Sequence, residues 1–212
     1  MTQIKKFVKF PKRTTLNNAK KYFKKSNLLV EVRNKNIFPP NLIDLYRIHQ
    51  FIILNNRTSV LEYGCGWSSL IISHALNYNL KKKKIIRSLN YEFEIIENGK
   101  KFLEICKKRN KIISNNKIKT KYNFSKCYWM EFNNVISSCY EKITSISPNF
   151  IYLDGPDPNS VLKKKTKSND QYKTNLFPMS CDILKFEYHL IPGTIILVDG
   201  RTSNATFLKK KF

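Results

Sequence analysis

The densest chemistry in the chain lies in Val60-Leu-Glu62-Tyr-Gly64-Cys-Gly66-Trp-Ser68-Ser69. The apolar residues around Glu62 predict a strand and those after Ser68 a helix, so both glycines fall on the turn between them. Glycines there allow a tight turn and close approach of a ligand that a Cβ would exclude. The unpaired N–H groups at a helix start favour an anionic group. A carboxylate two residues before Gly64 suits a ligand carrying an ammonium group or hydroxyls rather than a pyrophosphate. A dinucleotide fingerprint would need a third glycine where Ser69 stands.

Two further acids end apolar runs: Asp154 after Phe150-Ile-Tyr-Leu, and Asp199 after Thr194-Ile-Ile-Leu-Val. In an open α/β sheet, ligands sit beyond the carboxyl ends of strands, which makes both acids candidates for work on a substrate. The histidines offer less. His49 lies on a helical apolar stripe, His74 beside Ile71, Ile72 and Leu76, and His189 before a Pro-Gly turn; each reads as structural. No Ser-His-Asp arrangement stands out. The five cysteines are odd in number and include no CxxC pair, which disfavours a disulfide scaffold or zinc site and suits reduced thiols.

The elements that must position these residues alternate. Helices are predicted at Thr14–Lys25 and, after the Pro39-Pro40 break and an Asn41 cap, at Leu42–Leu54. A strand at Ser59–Tyr63 leads to a helix at Ser68–Leu76 and a solvated turn at Lys81–Lys84. A second strand is predicted at Ile85–Glu92, a helix at Ile95–Arg109 and a third strand at Ile118–Phe124, with the rest of 118–132 open. A fourth strand at Phe150–Asp154 precedes a polar loop, Asp157–Lys173, and a helix around Met179–Leu190. The fifth strand, Thr194–Val198, is followed by a helix from Asn204. Strands and helices alternating at this spacing imply βαβ units and a parallel sheet.

With those pieces in order, the chain resembles class I S-adenosylmethionine-dependent methyltransferases. The resemblance rests on Glu62-x-Gly64-x-Gly66-x-Ser68-Ser69, on Asn149-Phe-Ile-Tyr-Leu-Asp154-Gly-Pro, and on Leu190-Ile-Pro-Gly193-Thr-Ile-Ile-Leu-Val-Asp199. It implies a three-layer Rossmann-like α/β fold with a parallel sheet in the order 3-2-1-4-5. It also implies that Glu62, Gly64, Gly66, Ser68 and Ser69 hold the methionine end of S-adenosylmethionine. An acidic residue ending the second strand would hold the ribose diol; Asn90 occupies the usual position by pattern, and Glu92, on the same strand face, is the favoured substitute. Asp154 and Asp199 then flank the methyl acceptor. In metal-dependent O-methyltransferases the equivalent aspartates bind Mg2+ together with an Asn directly after the second. Gly200 stands there instead, so metal dependence is not favoured and no metal ligand is assigned. That family's sheet usually adds a sixth and a seventh strand, for which only 13 residues remain after Asp199; the expected sheet is therefore incomplete at its C-terminal side.

The chain has 212 residues, of which 39 are Lys or Arg and 15 Asp or Glu, a formal charge of +24. Residues 1–58 carry a net +11, which divides the chain into a basic helical N-terminal extension and a Rossmann-like domain over residues 59–212. Only seven of the cations are Arg, and the surplus is mostly Lys in a chain also rich in Asn and Ile, so a codon bias accounts for much of it. Contact with nucleic acid through the basic N-terminal region stays open. The four lysines at positions 163–165 and 167 could draw an anionic acceptor to the loop after the fourth strand, and Arg201 could pair with Asp154 or Asp199. No run approaches the ~18 apolar residues of a membrane span, and no apolar signal region follows the N-terminus, so a cytoplasmic enzyme is expected. The expected reaction is methyl transfer to a hydroxyl of a small-molecule or glycan-like acceptor. The rivals are a nucleic-acid methyltransferase and a non-catalytic protein that retains the fold.

Overall fold

The computed structural model describes residues 8–28, 40–82, 90–156, 160–161, 179–199 and 202–212. Helix α1 (Leu16–Lys25) begins where the Thr15 hydroxyl accepts from the Asn18 N–H at 3.3 Å. Helix α2 (Leu42–Leu54) begins at Asn41, whose side chain accepts from Ile43 and Asp44. Such caps satisfy N–H groups that the first turn leaves unpaired. Both helices bury an apolar stripe, Ala19 and Phe23 on α1 and Leu42, Leu45, Ile48 and Ile52 on α2. These residues belong to the same core cluster as one face of the sheet, so the helices of the basic N-terminal region are built into the fold.

Strands β1 (Ser59–Tyr63), β2 (Tyr91–Glu97), β3 (Ile118–Phe124), β6 (Phe150–Leu153) and β8 (Ile195–Val198) form a parallel sheet in the order β3-β2-β1-β6-β8. With β6 and β8 as the fourth and fifth strands of the prediction, this is the expected order and a Rossmann-like sheet. Helices α3 (Trp67–Lys82) and α4 (Lys100–Asn110) cover the face of Val60, Phe93, Ile95, Phe150 and Tyr152, together with α1 and α2. Because successive strand residues point to opposite faces, Leu61, Tyr63, Ile96, Ile151 and Leu153 form a second cluster on the other side.

That second face departs from the expected helical layer. It carries a small sheet of β4 (Cys127–Phe132), β5 (Val135–Tyr140) and β7 (Met179–Ser180) in the order β4-β5-β7. Helix α5 (Thr202–Lys209) packs there through Leu208. The β4–β5 hairpin turns at Asn133-Asn134, with φ of 50° and 60°, the left-handed pair that a two-residue hairpin loop needs. The helix expected at Met179–Leu190 is instead β7 and two 3-10 turns, Asp182–Lys185 and Glu187–His189. The fully buried Asp182 accounts for this. It accepts from Tyr140 N at 2.8 Å, Ser180 Oγ at 2.9 Å and Cys139 Sγ at 3.3 Å, which ties the segment to β5.

The second strand is also displaced, from the expected Ile85–Glu92 to Tyr91–Glu97, and residues 83–89 lie outside the described ones. The segment Tyr-Glu-Phe-Glu-Ile-Ile-Glu is buried despite its charges because Glu94 is satisfied inside the protein. Glu94 accepts from Asn123 Nδ2 (2.6 Å), Thr144 Oγ1 (2.7 Å), Ser145 N (2.8 Å) and Ser145 Oγ (3.0 Å). Buried charges persist where hydrogen bonds replace water in this way. Among the described residues no helix is long and apolar enough to cross a membrane.

Candidate functional site at the carboxyl edge of the sheet

Strand register assembles the site. Tyr63 is opposite Ile96 on one side and Leu153 on the other, and Leu153 is opposite Val198. The next residues along, Glu97, Gly64, Asp154 and Asp199, therefore stand in one row on the carboxyl edge, with neighbouring strands about 4.8 Å apart. Backbone bonds fix the row: Gly64 N donates to Ile96 O, Asp154 N and Gly155 N to Tyr63 O, and Asp199 N to Leu153 O, all at 2.9–3.0 Å. The sequence-predicted Gly64, Asp154 and Asp199 are thus brought together.

Glu62 sits just below the row, facing α3 and fully buried. Ser69 Oγ donates to its Oε2 at 2.6 Å and accepts from Gly66 N at 3.3 Å, so one hydroxyl links the turn to the carboxyl. Oε1 is buried without a well-formed hydrogen bond, as is the Ser68 hydroxyl, the neighbour whose pull on this carboxyl opposes that of burial. Burial holds the Glu62 carboxyl well above the usual carboxylate range. Such a buried oxygen with raised proton affinity is a site short of one donor, preferably a positive one.

Asn90 and Glu92 are elsewhere. Glu92 is opposite Ser59, the first residue of β1, and its N–H donates to Thr58 O, so both lie toward the opposite edge of the sheet. Five residues separate Glu92 from the row, about 16 Å of strand. The acid that ends β2 is Glu97, which the sequence reading missed. Its signal was an acid directly before Asn98-Gly99, the turn into α4. Glu97 is buried, accepts from Gly99 N at 2.6 Å, and burial raises its carboxyl above the ordinary value.

The two turn glycines do different work. Gly64 has φ +89°, and a Cβ on it would lie 2.9 Å from Gly155 N. Gly155 is as tightly held, since its Cβ would meet Tyr140 Oη at 2.9 Å and Gly64 Cα at 3.0 Å. The ends of β1 and β6 thus touch backbone to backbone. A Cβ on Gly66 would meet nothing nearer than Ser68 Oγ at 3.8 Å, so the space over Gly66 is open. Gly64→Ala is therefore expected to cost about 2 kcal/mol or more in chemical denaturation. Gly66→Ala should unfold at the wild-type midpoint; an equal loss in both variants would contradict this division of labour.

A second wall follows from the chain leaving β6. Ser160 stands beside the end of β2, where Asn98 Nδ2 donates to its Oγ at 2.8 Å. Val161 then enters the second-face cluster with Tyr63 and Ile96. The lysines at 163–165 and 167, Gly200 and Arg201 lie outside the described residues. Among the described residues no three His, Cys, Asp or Glu side chains are grouped to hold a metal ion. None of the five cysteines is in a disulfide.

The histidines stand away from this edge. Tyr22 Oη lies 3.0 Å from His49 Nδ1, and His49 Nε2 lies 2.9 Å from His74 Nδ1, a chain linking α1, α2 and α3. His189 sits in a 3-10 turn. No protein-family model matches the chain, and no curated protein matches it in sequence.

Proposed function

We propose that the chain is an S-adenosylmethionine-dependent methyltransferase acting on a hydroxyl of a small-molecule or sugar-like acceptor. The observation that carries this reading is the buried Oε1 of Glu62, short of a donor, beside a glycine turn at the centre of the carboxyl edge. An ammonium group is the donor that such an oxygen lacks, and the open space over Gly66 admits the carboxylate of the same amino-acid moiety against the N–H groups at the start of α3. S-adenosylmethionine, when bound, supplies a methyl group on a sulfonium.

The residues of this chain divide the remaining work. Glu97, in place of Asn90 or Glu92, ends β2 and offers a carboxylate that accepts from both hydroxyls of a ribose diol. Gly64 and Gly155 keep the floor of the site free of side chains. Asp154 and Asp199, on adjacent strand ends, face the acceptor, where a carboxylate orients a hydroxyl and takes its proton as the in-line displacement proceeds. Gly200 follows Asp199 where an Asn would complete a metal set, so the pair is given no Mg2+.

Calorimetric titration with S-adenosylmethionine, NADH and a generic oligonucleotide tests the reading. The expected result is binding of S-adenosylmethionine, weakened about tenfold or more in Glu97→Ala and unchanged in Glu92→Ala, as loss of a charge-assisted hydrogen bond implies. A folded wild-type chain that binds NADH but not S-adenosylmethionine would overturn it.

A further inference from the structure

A second site lies on the helical side, away from the carboxyl edge. Where α3, α4 and the edge strand β3 converge on the connection at 110–116, there is a cleft of about 360 Å³. Its lining includes Lys107, Lys111, Asn110, Asn116, Thr120 and Tyr122. An adjoining cleft of about 370 Å³ shares Asn77, Ile113, Ser114 and Asn115 with it and adds His74, Tyr78 and Lys81. Asn77 Nδ2 donates to Ile113 O at 2.7 Å and holds the shared wall in place.

The lining has a definite chemistry. It contains no Asp or Glu, although the chain has 15 of them. Lys107 pairs with Glu104 at 2.9 Å, while Lys81 and Lys111 form no ion pair with the described residues. Two half-buried tyrosines, Tyr78 and Tyr122, stand among the cations. Asn110 is 2% exposed, and its Oδ1 has no hydrogen-bond partner. Its Nδ2 lies 3.8 Å from the Cys106 sulfur, and the same amide also interacts with the Tyr122 hydroxyl. A buried amide oxygen without a formed bond is short of one donor.

We propose that this groove binds a nucleotide unit, with the base against Tyr122, an N–H edge toward Asn110, and the phosphate at Lys111 and Lys107. Aromatic faces interleaved with lysines are the pattern that holds single nucleotides through stacking and charge. The volume is that of a small-ligand pocket, and the open groove leaves room for a neighbouring nucleotide. A free nucleoside monophosphate and one residue of a single strand present the same chemistry. The site is independent of the methyltransferase reading, because none of its lining residues belongs to the row Glu97, Gly64, Asp154, Asp199.

The test is titration of the full chain with AMP and with a labelled single-stranded oligonucleotide at low salt, alongside thermal melts. Binding of either should fall about tenfold or more in Lys107→Glu/Lys111→Glu, and again in Asn110→Leu, with both variants still folded. Binding must survive in Glu97→Ala and must not be competed by S-adenosylmethionine, which separates this groove from the carboxyl edge. An oligonucleotide that binds far more tightly than AMP, with a steep salt dependence, supports the strand as the source; equal affinities support the free nucleotide. No binding at millimolar AMP or micromolar oligonucleotide, or binding unaffected by the lysine and Asn110 substitutions, overturns the proposal.

Discussion

On the function proposed above, Glu62→Gln is expected to give a protein that melts at a higher temperature and binds S-adenosylmethionine about a hundredfold more weakly. Both effects have one origin. In the ligand-free protein the Glu62 carboxyl is fully buried, with Oε2 held by Ser69 and Oε1 short of a donor. A neutral amide of the same shape removes the cost of burying a group that ionises, while its oxygen still accepts from Ser69 Oγ. What it cannot supply is a negative partner for an ammonium group. Loss of a charge-assisted hydrogen bond of about 2–3 kcal/mol corresponds to that hundredfold. The pH dependence has a defined sign. The folded carboxyl is raised above the ordinary 4.5, so from there up to its folded value the native state keeps a proton that the unfolded chain has lost. Glu62 therefore makes stability fall as pH rises through that window, and the Gln variant lacks this slope. Calorimetry and melts at several pH values read both quantities. Unchanged affinity in Glu62→Gln would remove this carboxyl from the site.

The parts of this site that were legible in the sequence are those with a local cause. Glu62, Gly64 and Gly66 announce a strand running into a tight turn, and Asp154 and Asp199 each follow an apolar run, so their places needed only the order of strands. The parts that were not legible depend on partners far along the chain. Glu94 is tolerated inside β2 only because Asn123, Thr144 and Ser145 reach it, so the apolar pattern alone predicts the strand too early and does not point to its terminal acid. Asp182 likewise draws 179–190 onto β5 rather than into a helix. The hairpin did carry a local sign, since Asn133-Asn134 between two apolar runs is a turn sequence. The backbone contact of Gly64 with Gly155 had none: the spacing that suggests room for a ligand also serves two strand ends that must touch.

Acidification below pH 6.5 is expected to destabilise the protein by about 2–3 kcal/mol at pH 4.5, through His49. With Tyr22 O–H donating to Nδ1, the His49 ring carries its single proton on Nε2 and donates it to His74 Nδ1, so a neutral His49 has both nitrogens satisfied. Burial, with His74 adding to it, pushes His49 from 6.5 down to about 3. The groups facing it are Tyr22 from α1 and His74 and Tyr78 from α3, with no carboxyl group in these contacts. Burial likewise raises Tyr22, to about 12, and lowers His74, with Lys81 beside it. Between the two His49 values the unfolded chain binds a proton that the native state refuses, so stability is present above pH 6.5 and drains away as pH falls toward 3. Each pH unit in that window is worth about 1.4 kcal/mol. His49→Leu should flatten this slope in urea denaturation measured from pH 7.5 to 4.5, even though it strands the Tyr22 hydroxyl and lowers stability at neutral pH. An acid slope as steep in His49→Leu as in wild type would place the titration elsewhere. Because His49 joins α1 and α2 to α3, whose first turn carries Ser68 and Ser69, protonation acts on the helix that frames Glu62, and ligand affinity should decline over the same pH range.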